Sequence, residues 1–287
     1  MKNKTVLLLS ALLLYWSGAG VVAAQSKEQE IANARSLLCI VNGYAYSTTG
    51  QSEPELEEAA GLAAVKLAEK KITAYLETHI SGSALFEIRK KKGKGFRPLR
   101  KHRVDSATVG DNLVGMRLAG VVEYEVHGST PGNLLTLGVN TDKSVYSEGD
   151  ELVFNLESNR DLFMCLVEQA PDNSVTQLLP NSFKPEERFA HGNSFFPNEQ
   201  SGDKFKFIIG PPFGNATVHM YGSDEPIGGI AELDEQSGYF IQTSDTINQI
   251  RDRLMGKILD SMELDDAGVS FQCAQFTEAR KKLTLKP

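Results

Sequence analysis

The spacing of apolar positions changes several times along the chain, and each change predicts an element. Residues 37–47, LLCIVNGYAYS, have the aliphatic and aromatic density of a strand. The spacing then shifts to three and four. Leu56, Ala60, Ala63, Ala64, Leu67, Ala68, Ile72, Tyr75 and Leu76 form one stripe, which predicts a helix running to about residue 80. Ser52 and Glu55 fit a capping box, Pro54 is tolerated in a first turn, and Ser81-Gly82-Ser83 ends the helix. So many alanines imply a helix lying close against a sheet. Strands follow at 84–88, 104–109 and 116–126, the last alternating Tyr124 and Val126 with Glu123, Glu125 and His127, as a strand with one wet face does.

Ser129-Thr130-Pro131-Gly132-Asn133 has the composition of a linker. Beyond it the period is that of strands, at 134–139, 143–146, 152–156, 162–169, 175–179, 204–209 and 216–221, with turns at regular spacing. A polar excursion over 180–203 carries Phe183, Phe189, Phe195 and Phe196, which either present a contact surface or pin the loop to the strands beneath. In the tail, Ser244 can cap a helix with Ile247, Ile250, Leu254, Ile258 and Met262 on one face. A second, shorter helix is expected over 272–281, with a last strand at 283–285.

The fold class expected is therefore α+β. A small α/β domain (strand, long helix, three strands) occupies 25–128, and a linker follows at 129–133. An antiparallel β-sandwich, immunoglobulin-like or jelly-roll-like, occupies 134–228, and a helical tail with a possible final strand covers 229–287.

The first residues set the compartment. Lys2 and Lys4 precede an apolar segment over 5–16, and Val22-Ala23-Ala24 supplies small residues before polar Gln25. These are the three parts of a secretory signal, cleaved after Ala24; an uncleaved anchor is the alternative. A periplasmic or secreted protein follows, meeting no genomic DNA or ribosome, so nucleic acid is not expected as a partner. Three cysteines at wide spacing make neither a disulfide framework nor a zinc pattern. Cys165 reads as buried apolar filler, while Cys39 and Cys273 can pair in an oxidising compartment or stay free.

Charge then picks out one segment. RKKKGKGFRPLRKHR holds Arg89, Lys90, Lys91, Lys92, Lys94, Arg97, Arg100, Lys101 and Arg103 without an acid, in a chain of net charge -7. Taking the leader's two lysines from -7 leaves -9, and taking the run's nine cations leaves -18 elsewhere. Such asymmetry points to a partner more than to a fold. On one reading the run is a mobile hairpin tip that binds an envelope protein, an anionic lipid headgroup or an acidic glycan, with Phe96 and Leu99 adding apolar contacts. On the other it is a solvated loop docked onto the protein's own acids, such as Glu53, Glu57 and Glu58.

Two stretches resemble known families. Asn42-Gly43-Tyr44-Ala45-Tyr46, the capped alanine-rich helix and the strand ending Val121-Val122-Glu123-Tyr124 resemble the N-terminal domain of the flagellar-assembly protein FlgT and related bacterial envelope lipoproteins. Asp142-Lys143, Tyr146, Gly149-Asp150, then Gln177-Leu178-Leu179-Pro180-Asn181, then Gly192, Pro197, Gly210-Pro211 and Gly214 resemble a bacterial domain of unknown function. That domain usually carries a Leu-Phe-Pro-Asn step, and Leu179 stands here in place of the aromatic. The second resemblance spans about 134–227 and implies an exported or envelope-associated β-domain, with no activity attached.

The residues themselves favour fold-making roles for that signature. Gly149 can take positive φ in a hairpin turn, Asp150 can bond the turn backbone, and Asn181 can satisfy loop N–H groups. Chemistry-bearing motifs are missing: there is no Gly-x-Ser-x-Gly, no phosphate-binding Gly-x-x-x-x-Gly-Lys and no His-Glu-x-x-His. Asp142, Glu148 and Asp150 lack calcium-loop spacing. His219 is expected at a surface or edge. No catalytic, metal or cofactor residue is assigned. The function expected is a non-enzymatic envelope interaction or assembly module; a peptidoglycan or acidic-polysaccharide binder is the alternative and a periplasmic hydrolase the third.

Overall fold

The computed structural model of the protein describes residues 6–7, 31–47, 50–80, 85–90, 95–104, 113–127, 133–185, 188–203, 205–230, 241–264 and 270–287. Nearly all of the expected leader, residues 105–109 of the strand expected at 104–109, and Lys91, Lys92 and Lys94 lie outside these residues. Among the described residues no helix is long and apolar enough to cross a membrane.

Among the described residues the chain is mostly strand, with two α-helices. At the centre, β2 (Ile31–Tyr46) runs between β5 (Leu113–His127) and β17 (Phe271–Lys286), antiparallel to both. The sheet continues from β17 to β15 (Gly214–Ser223), β10 (Leu162–Gln169), β11 (Val175–Leu179) and β16 (Ile241–Thr243). On its other side β3 (Leu85–Ile88) and β4 (Arg97–Val104) pair with β5. Two short strands join it laterally: β7 (Val145–Ser147) lies parallel to β17, and β12 (Arg188–Phe189) pairs with β10. A second sheet holds β6 (Leu137–Thr141), β9 (Phe154–Ser158) and β13 (Gly192–Phe196), with β9 in the middle. A third pairs β14 (Phe207–Ile208) with β8 (Glu151–Leu152) and with β1 (Val6–Leu7).

The two helices cover opposite faces of the central strands. Leu37, Cys39 and Val41 pack with Ala64, Ala68, Ile72 and Leu76 of α1 (Glu53–His79). Leu38 and Ile40 pack with Ile250, Leu254, Ile258 and Met262 of α2 (Ile247–Leu264). Burial on both faces explains why LLCIV is an unbroken apolar run. The alanine stripe does bring α1 close: a Cβ on Gly43 would lie 2.2 Å from the Ala64 backbone nitrogen, so only glycine fits there. Glu55 accepts from the Ser52 N–H at 2.8 Å, as the capping signal predicts. For α2 the cap is Thr246, not Ser244. The Thr246 N–H donates to Gln249 at 2.8 Å and the Gln249 N–H donates back to the Thr246 hydroxyl at 3.4 Å.

The largest departure from expectation is at the C-terminus. Residues 272–281 are strand, not helix, and they belong to the sixteen-residue β17. This strand serves three cores in succession. Phe271 and Cys273 pack on the α1 side. Ala274 and Phe276 pack on the α2 side. Ala279, Leu283 and Leu285 enter a core between the large sheet and β6, β9 and β13. Cys273 stands directly across from Cys39, Cα to Cα 4.1 Å, and the two form a disulfide.

The segment just beyond the expected linker is fastened to the same strand. Gln275 accepts from the Leu135 N–H at 2.7 Å and donates to the Tyr75 hydroxyl at 3.0 Å, while Arg35 donates to the Leu135 carbonyl at 2.8 Å. Leu134 enters the α1-side core and Leu135 the core beyond.

Candidate functional site

Among the described residues the basic run does not form a hairpin, since the strands on either side of it both pair with β5. β3 pairs with the C-terminal end of β5 (Ile88 against Tyr124) and β4 with its N-terminal part (Arg97 against Val121, Val104 against Gly115), both antiparallel. The two strands are therefore collinear pieces of one edge, and the Arg89 N–H still bonds the Glu123 carbonyl at 2.9 Å. Phe96, immediately before β4, is fully buried and unavailable for insertion into a partner. Its ring lies where a Cβ on Gly120 would be, 2.7 Å away. Leu99 is 38 % exposed at the bulge.

Six of the nine cations are among the described residues, and they divide evenly. Arg89 donates to Glu125 through Nε at 2.6 Å. Arg100 reaches α2, bonding Asp260 and the Gly256 carbonyl (3.1 Å), with Glu263 at 3.7 Å. Arg103 reaches α1, bonding Glu53, with Glu57 at 3.6 Å. One edge strand thus ties both helices to the sheet through their acidic sides. Lys90, Arg97 and Lys101 are exposed and have no carboxylate partner among the described residues. Cations on an edge strand also discourage it from pairing with another chain.

Of the loop phenylalanines, Phe196 is buried and Phe183 and Phe189 pack against the same core. Phe183 stacks on Phe205 with ring centroids 5.0 Å apart. Phe195 alone points outward, 55 % exposed.

The polar signature residues over 142–181 shape turns and the backbone around them, and Gln177 also reaches a distant segment. Tyr146 is buried, donates to Asp142 at 2.5 Å, and has its hydroxyl pKa pushed up to about 12 by burial and by that carboxylate. Asp150 accepts from the Ser147 N–H at 2.9 Å and from Lys143 at 3.0 Å, and Gly149 takes φ +84°. The turn is present, yet its flanking strands do not pair with each other: β7 joins β17, and β8 joins β14. Asn181 donates to the Leu178 carbonyl at 2.7 Å and accepts from Phe183 and Lys184 at 2.9 and 2.8 Å. Gln177 accepts from the Ile230 N–H and donates to the Pro180 carbonyl, both at 2.5 Å.

Sequence reading missed a buried polar cluster and misplaced His219. That residue is 3 % exposed on the interior strand β15, not at an edge. Its Nδ1 lies 2.8 Å from Glu278, which also accepts from Arg280 at 2.8 and 3.0 Å. Burial by itself would raise the Glu278 pKa; the hydrogen bonds from His219 and Arg280 outweigh it and hold the carboxyl at about 2. Tyr221, two residues on, stacks between His219 and Phe276, with its hydroxyl pKa driven far up by burial. The His219 Nε2 and the Tyr221 hydroxyl are buried without a hydrogen-bond partner among the described residues. The available signal was the alternation of His219 and Tyr221 along a strand rich in apolar neighbours. Among the described residues no three His, Cys, Asp or Glu side chains gather as a metal site.

Comparison with known proteins adds one family. A bacterial-type domain expected from the signature residues corresponds to the family described as Domain of unknown function (DUF4384), which matches residues 145–226. No curated protein matches the chain, and no solved structure does.

Proposed function

We propose that this protein is an exported, non-enzymatic interaction or assembly module of the cell envelope. It joins a FlgT-type α/β unit to a β-sandwich of the immunoglobulin or jelly-roll kind and works in the periplasm or outside the cell. The observation that carries this reading is the Cys39–Cys273 disulfide, which ties the first long strand to the last. Such bonds persist in oxidising compartments and are rare in the cytosol, in keeping with a leader over residues 1–24. The contact surface is the basic edge, where Lys90, Arg97 and Lys101 remain exposed on a molecule otherwise acidic.

The test is to express the full chain in a Gram-negative host, fractionate the cells, and alkylate free thiols before and after reduction. A periplasmic protein starting near Gln25, with Cys39 and Cys273 protected until reduction, is the expected result. A full-length cytoplasmic protein with both thiols free would sink the reading. For the contact, the purified protein is offered to detergent-solubilised envelope proteins at rising salt. Neutralising Lys90, Arg97 and Lys101 should abolish capture, and capture that survives at low salt removes the basic edge as the surface.

A second reading, binding of peptidoglycan or another acidic polysaccharide, is favoured by Tyr44 and Tyr46. They lie on the same face of β2, 37 % and 77 % exposed, as rings that stack on sugars would be. Sedimentation with purified cell wall, lost on Tyr46→Ala, would select it.

A further inference from the structure

Among the described residues β3 and β4 pair only with β5, so together they form one open edge of the large sheet. The two halves of β4 differ in how they are guarded. The first carries Pro98 and a bulge before Arg100, both devices that keep an edge from pairing with another chain. From Arg100 to Val104 the register against β5 is unbroken, Ala119 to Gly115, and the guard there is charge. Charge guards selectively. Like charges facing each other across strands are unfavourable and opposite charges favourable, so this stretch turns away a second copy of itself and accepts carboxylates. The acids within reach of the run are already taken by three of its arginines: Glu125 by Arg89, Asp260 and Glu263 by Arg100, Glu53 and Glu57 by Arg103. Lys90, Arg97 and Lys101 are left over, exposed and without a carboxylate partner among the described residues.

We propose that the stretch from Arg100 to Val104 binds an acidic peptide in extended form, which adds to β4 as a strand. The proposal rests on the basic edge being the contact surface and names what that surface takes. The peptide's backbone bonds the open edge, as in other cases of strand addition, and its carboxylates stand opposite Lys101 and Arg103. Those two share a face: Lys101 lies across from Leu118, which faces α1, while Arg100 lies across from Ala119, which faces α2. Lys101 is unpaired among the described residues, and Arg103 is held by exposed carboxylates that it can exchange at little cost. Shape then selects a chain over a surface. On either side of the edge the helices hold Glu53 and Asp260, with 63 % and 59 % of their side chains in solvent. A flat anionic membrane brought up to β4 meets those carboxylates as well, whereas a narrow chain lying along the strand meets the cations between them. A polyuronate chain is as narrow, but it has no backbone N–H to pair with the edge.

Isothermal titration calorimetry of the exported full chain with a short acetylated peptide alternating Glu and Thr, at low salt, tests this. Binding is expected, and Lys101→Glu should weaken it about tenfold or more, since it sets a carboxylate against carboxylates. Strand pairing is read separately. N-methylation of every Glu, or of every Thr, leaves the charge alone, but the N–H groups of alternate residues point to opposite sides of a strand. One methylated peptide should therefore lose about tenfold or more in affinity, and the other should bind like the parent. An unchanged melting curve shows that Lys101→Glu leaves the fold intact; if it does not, the methylated pair decides alone. No binding of the parent peptide, equal binding of the two methylated forms, or indifference to Lys101→Glu overturns the proposal. So does binding of phosphatidylglycerol vesicles or an oligogalacturonate in the peptide's place. If envelope proteins are still captured through Lys90, Arg97 and Lys101 while the peptide is ignored, strand addition falls and the basic edge stands as the contact. If neither binds, both readings fall.

Discussion

At the seam between β15 and β17, Glu278 is 6 % exposed and held between the His219 imidazole and the Arg280 guanidinium. At the β4 edge, Arg100 and Arg103 meet Asp260 and Glu53, whose side chains keep 59 % and 63 % of their surface in water. The partners are chemically the same, arginine and carboxylate, but solvent makes the two places different. A buried carboxylate that loses its partners is left charged in a medium that cannot solvate it, whereas an exposed one exchanges a guanidinium for water at little cost. The interior cluster therefore fixes how β15 and β17 meet, and the edge pairs only steady helices that are already packed. The same difference separates what can be spared for a partner from what cannot.

The largest effect expected follows from breaking the interior cluster. Glu278→Ala removes the buried carboxylate that holds His219 and Arg280 and should cost about 3–5 kcal/mol, the range for removing one partner of a buried pair. Urea unfolding followed by far-UV circular dichroism measures it, and a loss under about 1 kcal/mol would place the cluster with surface pairs. The pH dependence sharpens the point. The folded pKa of about 2 lies below the ordinary value of 4.5, so the unfolded chain takes up this proton first as pH falls. The stabilisation is fully present above about pH 4.5, declines below it, and is gone once pH has fallen through about 2. In Glu278→Gln the acid limb of the stability curve should flatten over that interval.

The second effect concerns the other end of β17. There the disulfide joins Cys273 to Cys39, 234 residues away in sequence. Replacing both cysteines by alanine should cost about 2–5 kcal/mol, mostly by freeing the unfolded chain. It should do so additively with Glu278→Ala, because the two sites act on different neighbours of β17 and share no partner. A double-mutant cycle with an interaction energy well above about 0.5 kcal/mol would mean that the strand behaves as one unit along its length.

That strand also explains where the sequence was readable and where it was not. The two helices were legible because each buries one stripe against one surface, so Leu56, Ala60, Ala64 and Ala68, or Ile250, Leu254 and Ile258, recur at helical spacing. The domain of unknown function was legible because its turn residues act locally: Asp150 on Ser147, Asn181 on Leu178. β17 was not. Its residues turn toward three different cores, and Gln275, Thr277 and Glu278 are buried through partners far away in sequence, so neither period 2 nor period 3.6 survives in FQCAQFTEARKK. His219 was misplaced for the same reason, since its burial depends on that neighbour. The Cys39–Cys273 pairing required the register of the first and last long strands. The basic run was legible in its docking onto Glu53 and Glu57, made by Arg103, and not in its strand. An edge strand facing solvent needs no apolar alternation, and charge without alternation reads as a loop.

The smallest effect is expected at that edge. Arg100→Gln removes the bonds to Asp260 and Gly256 on α2, and with Arg100 itself over a third exposed the loss should stay below about 1 kcal/mol. Arg103→Gln, at a pair still more open to water, should leave the melting temperature unchanged within error. The double variant should also lose its remaining difference from wild type at high salt, where exposed pairs are screened and the Glu278 cluster is not. If instead Arg100→Gln destabilised the protein as much as Glu278→Ala, β4 would be a structural brace throughout. Its remaining cations, Arg97 and Lys101, would then be poor candidates for a surface that binds and releases an envelope partner. A near-silent Arg100→Gln leaves β4 able to exchange α2 for an acidic partner at little cost, which a contact edge must be able to do.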